Sequence, residues 1–200
     1  MMQYECVDLG LPSGLKWAKC NVGATSETDY GDYFMWGSTK PNTADECAWE
    51  HAPFNDGNTS YNADAINSVK DTVCPNGILA KEYDAASQIM GGDWRMPTEA
   101  EIQELIDNTD SEWVTINGIN GRRFTSRIDT SKYIFIPASG IRSNSSFFFQ
   151  GSYGAVWSSS VNTDYSGYAW FLYIGSDNAV ARLNISRSRG FMVRGVTECR

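Results

Sequence analysis

Few side chains in this 200-residue sequence are of a type to do covalent or proton-transfer chemistry, and they are scattered. His51 is the only histidine; it lies in a polar stretch without a matching cysteine signature, and reads as a solvated loop residue rather than a general base. The five cysteines, Cys6, Cys20, Cys47, Cys74 and Cys199, form no C-x-x-C pair, which weakens zinc and thioredoxin-like readings. Cys6 could meet Cys199 if the terminal strands pair, and Cys47 could staple a long excursion to Cys74. Free buried thiols are the simpler expectation. Glu99, Glu101 and Glu104 share one helix and read as cap and solvated face. No G-x-G-x-x-G, Walker, EF-hand or H-E-x-x-H pattern occurs. The expectation is a protein without catalysis, cofactor or metal.

The remaining chemistry is that of contact. Aromatic residues make up 13% of the chain, with seven Trp and ten Tyr. In "SNSSFFFQGSYGAVWSSS", Phe147, Phe148 and Phe149 run consecutively, yet an alternating strand turns only every second side chain to its core. A ring left in water forfeits roughly 1.5–3 kcal/mol. The stretch is therefore either covered on both sides or kept exposed for a use. In "AWFLYIG", Trp170, Leu172 and Ile174 can face the core while Phe171 and Tyr173 face outward, the arrangement of a recognition surface. A central strand covered on both faces would instead make Phe171 and Tyr173 ordinary core. Arg182 and Arg187 could anchor backbone carbonyls or an internal acid instead of a ligand.

The elements that must hold these residues are short. "VDLGLPSGLKWAKCNVGA" reads as strands broken by Pro-Ser-Gly, with Leu15 and Trp17 facing one side. Residues 38–78 are polar, rich in Asn, Asp and Thr, without periodicity, and are expected to form a long surface insertion. Two helices follow. The first, in "ILAKEYDAASQIMGG", buries Leu79, Tyr83, Ala86 and Ile89 or Met90 and stops at Gly91-Gly92. The second, in "MPTEAEIQELIDNT", opens on a Thr98/Glu101 capping box and buries Ile102, Leu105 and Ile106. From Trp113 onward every run reads as β, and the whole reads as one α+β domain over 1–200.

The net charge of −8 argues against general nucleic-acid binding. Its distribution is uneven, with 20 acidic and 6 basic side chains up to residue 113, and 4 acidic and 10 basic after it. A basic C-terminal part could favour an anionic partner, or the two parts could neutralise each other within one fold. No apolar run reaches the length of a membrane span, and "MMQYECVDLG" lacks the basic start and apolar middle of a signal peptide.

At "YECVDLGLPSGLKWAKCNVGAT", "DYGDYFMWGSTKP", "DAASQIMGGDWRMPTEAEIQELI", "IFIPASG", "GSYGAVWSSS" and "GFMVRGV" the chain resembles the Fibrobacter succinogenes major paralogous domain, frequent in Bacteroidetes surface lipoproteins. "RMPTEAE" and the final "GF" also resemble the formylglycine-generating-enzyme group. Both resemblances imply a C-type-lectin-like fold: two helices, twisted antiparallel sheets and paired terminal strands supporting an irregular ligand-facing surface. The calcium and sugar tripeptides of true C-type lectins are missing, as are the paired C-terminal cysteines of the enzymes, since Cys199 stands alone.

Residues 143–190 further resemble the variable region of proteins diversified by retroelements, in which template adenines are randomised. Phe171, Tyr173, Gly175, Ala179, Ala181, Leu183, Ile185, Ser186 and Arg189 fall where such templates carry Asn codons, with Asn184 unchanged. All are types that an Asn codon yields when its two adenines vary; Lys, Glu, Gln, Met and Trp are not. Phe147 to Phe149 obey the same limit.

These readings converge on a non-catalytic recognition domain on a phage virion or a bacterial cell surface, meeting a protein or glycan ligand without nucleic acid or a membrane span. Phe147, Phe148, Phe149, Tyr165, Tyr168, Phe171 and Tyr173 are expected as hydrophobic anchors, and Ser186 and Arg189 as polar selectors. The resemblance adds Ala181, Leu183 and Ile185. Two rivals are a diverged formylglycine-generating-type enzyme, which needs a low-pKa cysteine at Cys20 or Cys199, and a structural surface domain whose Phe triplet packs on a neighbour.

Overall fold

The computed structural model describes residues 4–198. In chain order its elements are β1 (Cys6–Val7), β2 (Lys16–Ala18), β3 (Tyr33–Phe34), α1 (Ala63–Val73), α2 (Ala85–Met90), α3 (Glu99–Asn108), β4 (Thr109–Ile116), β5 (Ile119–Ser126), β6 (Tyr133–Pro137), β7 (Ile141–Ser143), β8 (Ser146–Phe148), β9 (Tyr153–Val161), β10 (Tyr168–Gly175), β11 (Ala179–Ser186), β12 (Phe191–Met192) and β13 (Val196–Thr197). The class is α+β, compatible with a lectin-like fold. No helix among the described residues is long and apolar enough to cross a membrane.

α3 forms where its cap requires it. Thr98 Oγ1 accepts the Glu101 N–H at 3.3 Å while Glu101 Oε2 accepts the Thr98 N–H at 2.8 Å, satisfying two donors that the first turn would otherwise leave open. Arg95 closes a two-pronged pair on the same carboxylate at 2.8 and 2.5 Å. Burial alone would raise the Glu101 pKa, but the Arg95 and Thr98 hydrogen bonds outweigh it and hold the group below the ordinary 4.5. A depressed carboxylate adds stability that is complete above the unfolded pKa and is lost as pH falls through the folded one. Denaturant midpoints of the native chain should therefore drop on acidification below about pH 4.5, and Glu101→Gln should flatten that slope.

The helices cover a five-stranded sheet, ordered β11-β10-β9-β12-β3, from both sides. α3 lies across β9, β10 and β11, and its Ile102 and Leu105 pack with Val156, Leu172, Ile174 and Ala181. On the opposite face Ala155, Trp157, Ala169, Phe171 and Phe191 pack with Trp36, Leu79, Ala86 and Met96. Two arginines tie this core to its neighbours through carbonyls. Arg194, fully buried, donates to Asn21 Oδ1, Lys19 O, Ala18 O and Phe135 O, and Arg122 donates Nε and Nη2 to Gly175 O.

The double cover corrects part of the sequence reading. Phe171 is not an outward anchor: it is only 6% exposed, because Trp157 and Phe191 meet it on a face expected to be open. Ala181 is buried too, on the α3 face, where a shift in the β10–β11 register between Phe171 and Tyr173 brings it. Residues 38–78 are not free of periodicity, since α1 forms within them on an Asn62 cap and buries Ile66 and Val73, making three α-helices among the described residues rather than two. The first expected helix is split into a 3₁₀ turn at Lys81–Tyr83 and α2, with Met90 rather than Ile89 turned to the core. β1 and β13 do not pair with each other but flank β2 in one sheet. Cys199 lies outside the described residues. Cys47 and Cys74 carry free thiols in separate core clusters, so no staple joins them.

Candidate functional site

The Phe triplet is carried by the β7–β8 hairpin. Its turn is Asn144-Ser145, both at positive φ (44° and 66°), the backbone that two-residue hairpins need to match strand twist. β8 pairs only with β7, and Phe147, Phe148 and Phe149 are 43%, 46% and 59% exposed. Phe149 takes φ 63°, a strained value for a bulky residue. Its carbonyl accepts the N–H groups of Ser152 and Tyr153, which fixes that bend.

The rings are ordered by neighbours rather than left loose. Arg142 is clasped between Tyr33 and Phe147, its guanidinium 4.7 and 4.3 Å from their centroids. Phe148, Phe149, Tyr153 and Tyr173 form a row with successive centroid distances of 6.3, 5.2 and 5.4 Å. Burial first, then the Tyr173 phenol, pushes the Tyr153 pKa up to about 12, so the Tyr153 hydroxyl stays neutral.

A second aromatic group stands beside the first. Tyr165 and Tyr168 lie 6.0 Å apart, in and just after the β9–β10 loop, and the Tyr165 N–H is held by Asn162 Oδ1. Facing them, Trp49 and Tyr61 pair at 5.4 Å. The Tyr61 hydroxyl bonds to Ser166 Oγ at 2.6 Å and its ring lies on Gly167, where an added Cβ would come within 2.7 Å. Gly167 is thus what allows the insertion to close on the loop.

Two concavities result. One of about 600 Å³ is lined by Trp49, Tyr61, Tyr165, Tyr168, Ser186 and Arg189 among others. Another, of about 410 Å³, is lined by Ile141, Phe148, Phe149, Ile185 and Arg189. Arg189 and Asn144 line both, so the basins adjoin along one surface. Among the described residues Arg189 is the only charged one lining either. Such a surface accepts flat apolar faces together with hydrogen-bond acceptors or negative charge.

Of the residues singled out in the sequence, Tyr165, Tyr168, Ser186 and Arg189 meet in the first basin, and Phe148, Phe149, Ile185 and Arg189 in the second. Phe147 is exposed on the same hairpin, Tyr173 is half-buried at the end of the ring row, and Leu183 is exposed on the edge strand β11, lining neither basin. Phe171 and Ala181, buried as above, offer a ligand nothing. The sequence reading missed Trp49, Tyr61 and Asn144. The three aromatics Trp49, Phe54 and Tyr61 inside an otherwise polar insertion were the available signal.

A larger hollow, about 880 Å³ beside Trp94, is less suited to a ligand. Its Asp84 spends both oxygens on the Ser87 and Met96 N–H groups, and its Arg95 and Glu101 are paired with each other. Cys20, Cys47 and Cys74 are unsuited to nucleophilic work: burial raises the Cys20 pKa and pushes those of Cys47 and Cys74 up to about 11. His51 is exposed beside Glu50.

Comparison with known families brings one decisive match: the model of the Lcl C-terminal domain covers residues 10–197. The chain belongs to this family. No curated protein and no solved structure matches the chain. Lcl C-terminal domains are C-type-lectin-like domains associated with variable ligand binding, which agrees with a recognition role. In this member of the Lcl family the two basins are the surface on which such binding can be sought.

Proposed function

We propose that the chain is a single non-catalytic recognition domain, of C-type-lectin-like fold related to the formylglycine-generating-enzyme fold, that grips a cell-surface protein or glycan across its two adjoining basins. The observation that carries this reading is the sharing of Arg189 and Asn144 by both concavities, which joins the Tyr pair to Phe148 and Phe149 in one contact surface. Exposed rings offer large contact area at low rotamer cost, and Arg189 supplies orientation. The proposed setting is a phage virion or a bacterial cell surface.

We also propose that a retroelement diversifies part of this surface. The variable set is narrower than the sequence pattern implied, because substitutions at Phe171 and Ala181 would disturb the core. Sequencing of flanking DNA should reveal a reverse transcriptase gene and an adenine-rich copy of the segment encoding residues 147–189. Its absence would end this part of the proposal.

Binding is tested with labelled protein on a printed glycan array and on intact bacterial and animal cells. Tyr168→Ala and Arg189→Ala should each weaken whatever binding the native chain shows by about tenfold or more, the usual size of a hot-spot loss. Ile128→Ser, at an exposed residue outside both basins, should leave it unchanged. Equal binding by all variants would refute the site.

A further inference from the structure

Nine arginines lie among the described residues, and eight set the guanidinium against an acid, a carbonyl or a ring. Arg95, Arg123 and Arg127 hold carboxylates. Arg122, Arg142 and Arg194 donate to carbonyls. Arg182 and Arg187, expected on carbonyls or an internal acid, lie instead over the rings of Trp170 and Trp36, at 4.9 and 5.2 Å from the centroids. Arg189 is the ninth. Among the described residues its side chain meets no acid, no carbonyl and no ring, and its backbone N–H alone is engaged, donating to Ser186 O at 3.1 Å.

That cation stands where the two basins meet. It lines both, and no acidic residue lines either among the described residues. Burial dominates the raised pKa values of Tyr153 and Cys47, but the Arg189 charge opposes it at both, which places the guanidinium near the ring row and the insertion at once. An incoming carboxylate would therefore break no existing bond in taking a charge-assisted pair of hydrogen bonds from it.

The walls say what should accompany the carboxylate. Of the seven residues lining the smaller basin, Ile141, Phe148, Phe149 and Ile185 have side chains without a polar atom. A sugar ring would lose the water on its hydroxyls there without replacement, whereas an apolar side chain gains by burial. The larger basin offers the rings of Trp49, Tyr61, Tyr165 and Tyr168, which suit an aromatic side chain. A polypeptide carries such groups at fixed spacing. In an extended chain, side chains two residues apart point the same way, about 6.5–7 Å from one another.

We infer, resting on the recognition surface proposed above, that its partner is an extended protein segment in which an aspartate or glutamate has an apolar or aromatic residue two positions to either side. The carboxylate pairs with the Arg189 guanidinium. One flanking side chain enters the basin of Phe148 and Phe149, the other that of Tyr165 and Tyr168.

The test titrates the nitrogen-15-labelled native chain with the peptide acetyl-Phe-Ser-Asp-Ser-Phe-amide. Comparison peptides carry Asn or Lys for the Asp, or Ser for both Phe, and the glucuronate-containing disaccharide of hyaluronan is the glycan probe. Expected are saturable shifts of the Arg189 Nε–H and of the Asn144 and Phe148 amides, with the Asn and Ser peptides each about tenfold weaker. Arg189→Gln should make the Asp and Asn peptides equal, and Arg189→Glu should make the Lys peptide the best binder. Both variants should keep the native Tm, since Arg189 gives up no partner. No shift at about 10 mM Asp peptide, equal binding of the Asp and Asn peptides, or tighter binding of the disaccharide would each overturn the inference. The surface itself survives such a result if Tyr168→Ala and Arg189→Ala still weaken binding to cells, and falls with it if they do not.

Discussion

Arg194→Met is expected to cost about 4 kcal/mol or more of folding stability, read as a lowered denaturant midpoint. Arg194 is fully buried and serves four acceptors, Asn21 Oδ1 at 2.8 Å and the carbonyls of Lys19, Ala18 and Phe135 at 3.1, 3.4 and 3.0 Å. Methionine fills much of the volume but donates nothing, and each acceptor left dry in the interior costs about 1–3 kcal/mol. Relief of the guanidinium's own desolvation offsets part of that sum. Arg187→Met orphans no acceptor and should cost far less, so the pair separates burial of a guanidinium from what it holds. Equal losses in the two variants would contradict this account.

Trp157→Ala should cost about 3–5 kcal/mol, the usual range for deleting a large buried aromatic. Its ring meets Phe191 at 4.4 Å and Phe171 at 6.3 Å, and its Nε1 donates to Phe34 O at 2.7 Å. Trp36 returns the link, donating to Ser158 O at 2.8 Å. The two indoles thus cross-bond β3 to β9, which only β12 separates in the sheet. Trp157→Phe keeps a ring in place but leaves the Phe34 carbonyl unpaired, and should cost about 1–3 kcal/mol. Calorimetry ranking the two variants in the reverse order would show that packing is not the larger share.

What could be read in the sequence was what local chemistry dictates. The α3 helix announced itself because Thr98, Glu101 and the Ile102/Leu105 stripe agree on one period and one start. α1 was missed because "ADAINSVKDTV" buries only Ile66 and Val73, too sparse a stripe to show within a polar stretch. Phe171 was misjudged because alternation says which residues share a face, not whether that face is covered. Cover comes from Trp157 and Phe191, and register shifts on both sides of β10 complicate the count further. The exposed part of the site was more accessible, since three successive phenylalanines among Ser and Gly cannot all turn to one face of a strand. Its other wall was hidden, because Trp49 and Tyr61 reach Tyr165 and Tyr168 across more than a hundred residues of chain.

The common wall at Arg189 makes the two hollows a coupled lock. Arg189 lines both together with Asn144, so a small side chain in its place opens space in both at once, and a bulky ring there takes space from both. Under the proposed function, a substitution at residue 189 would therefore retune both halves of the surface in one step, while changes at Tyr168 or Phe148 would retune one half and spare the other.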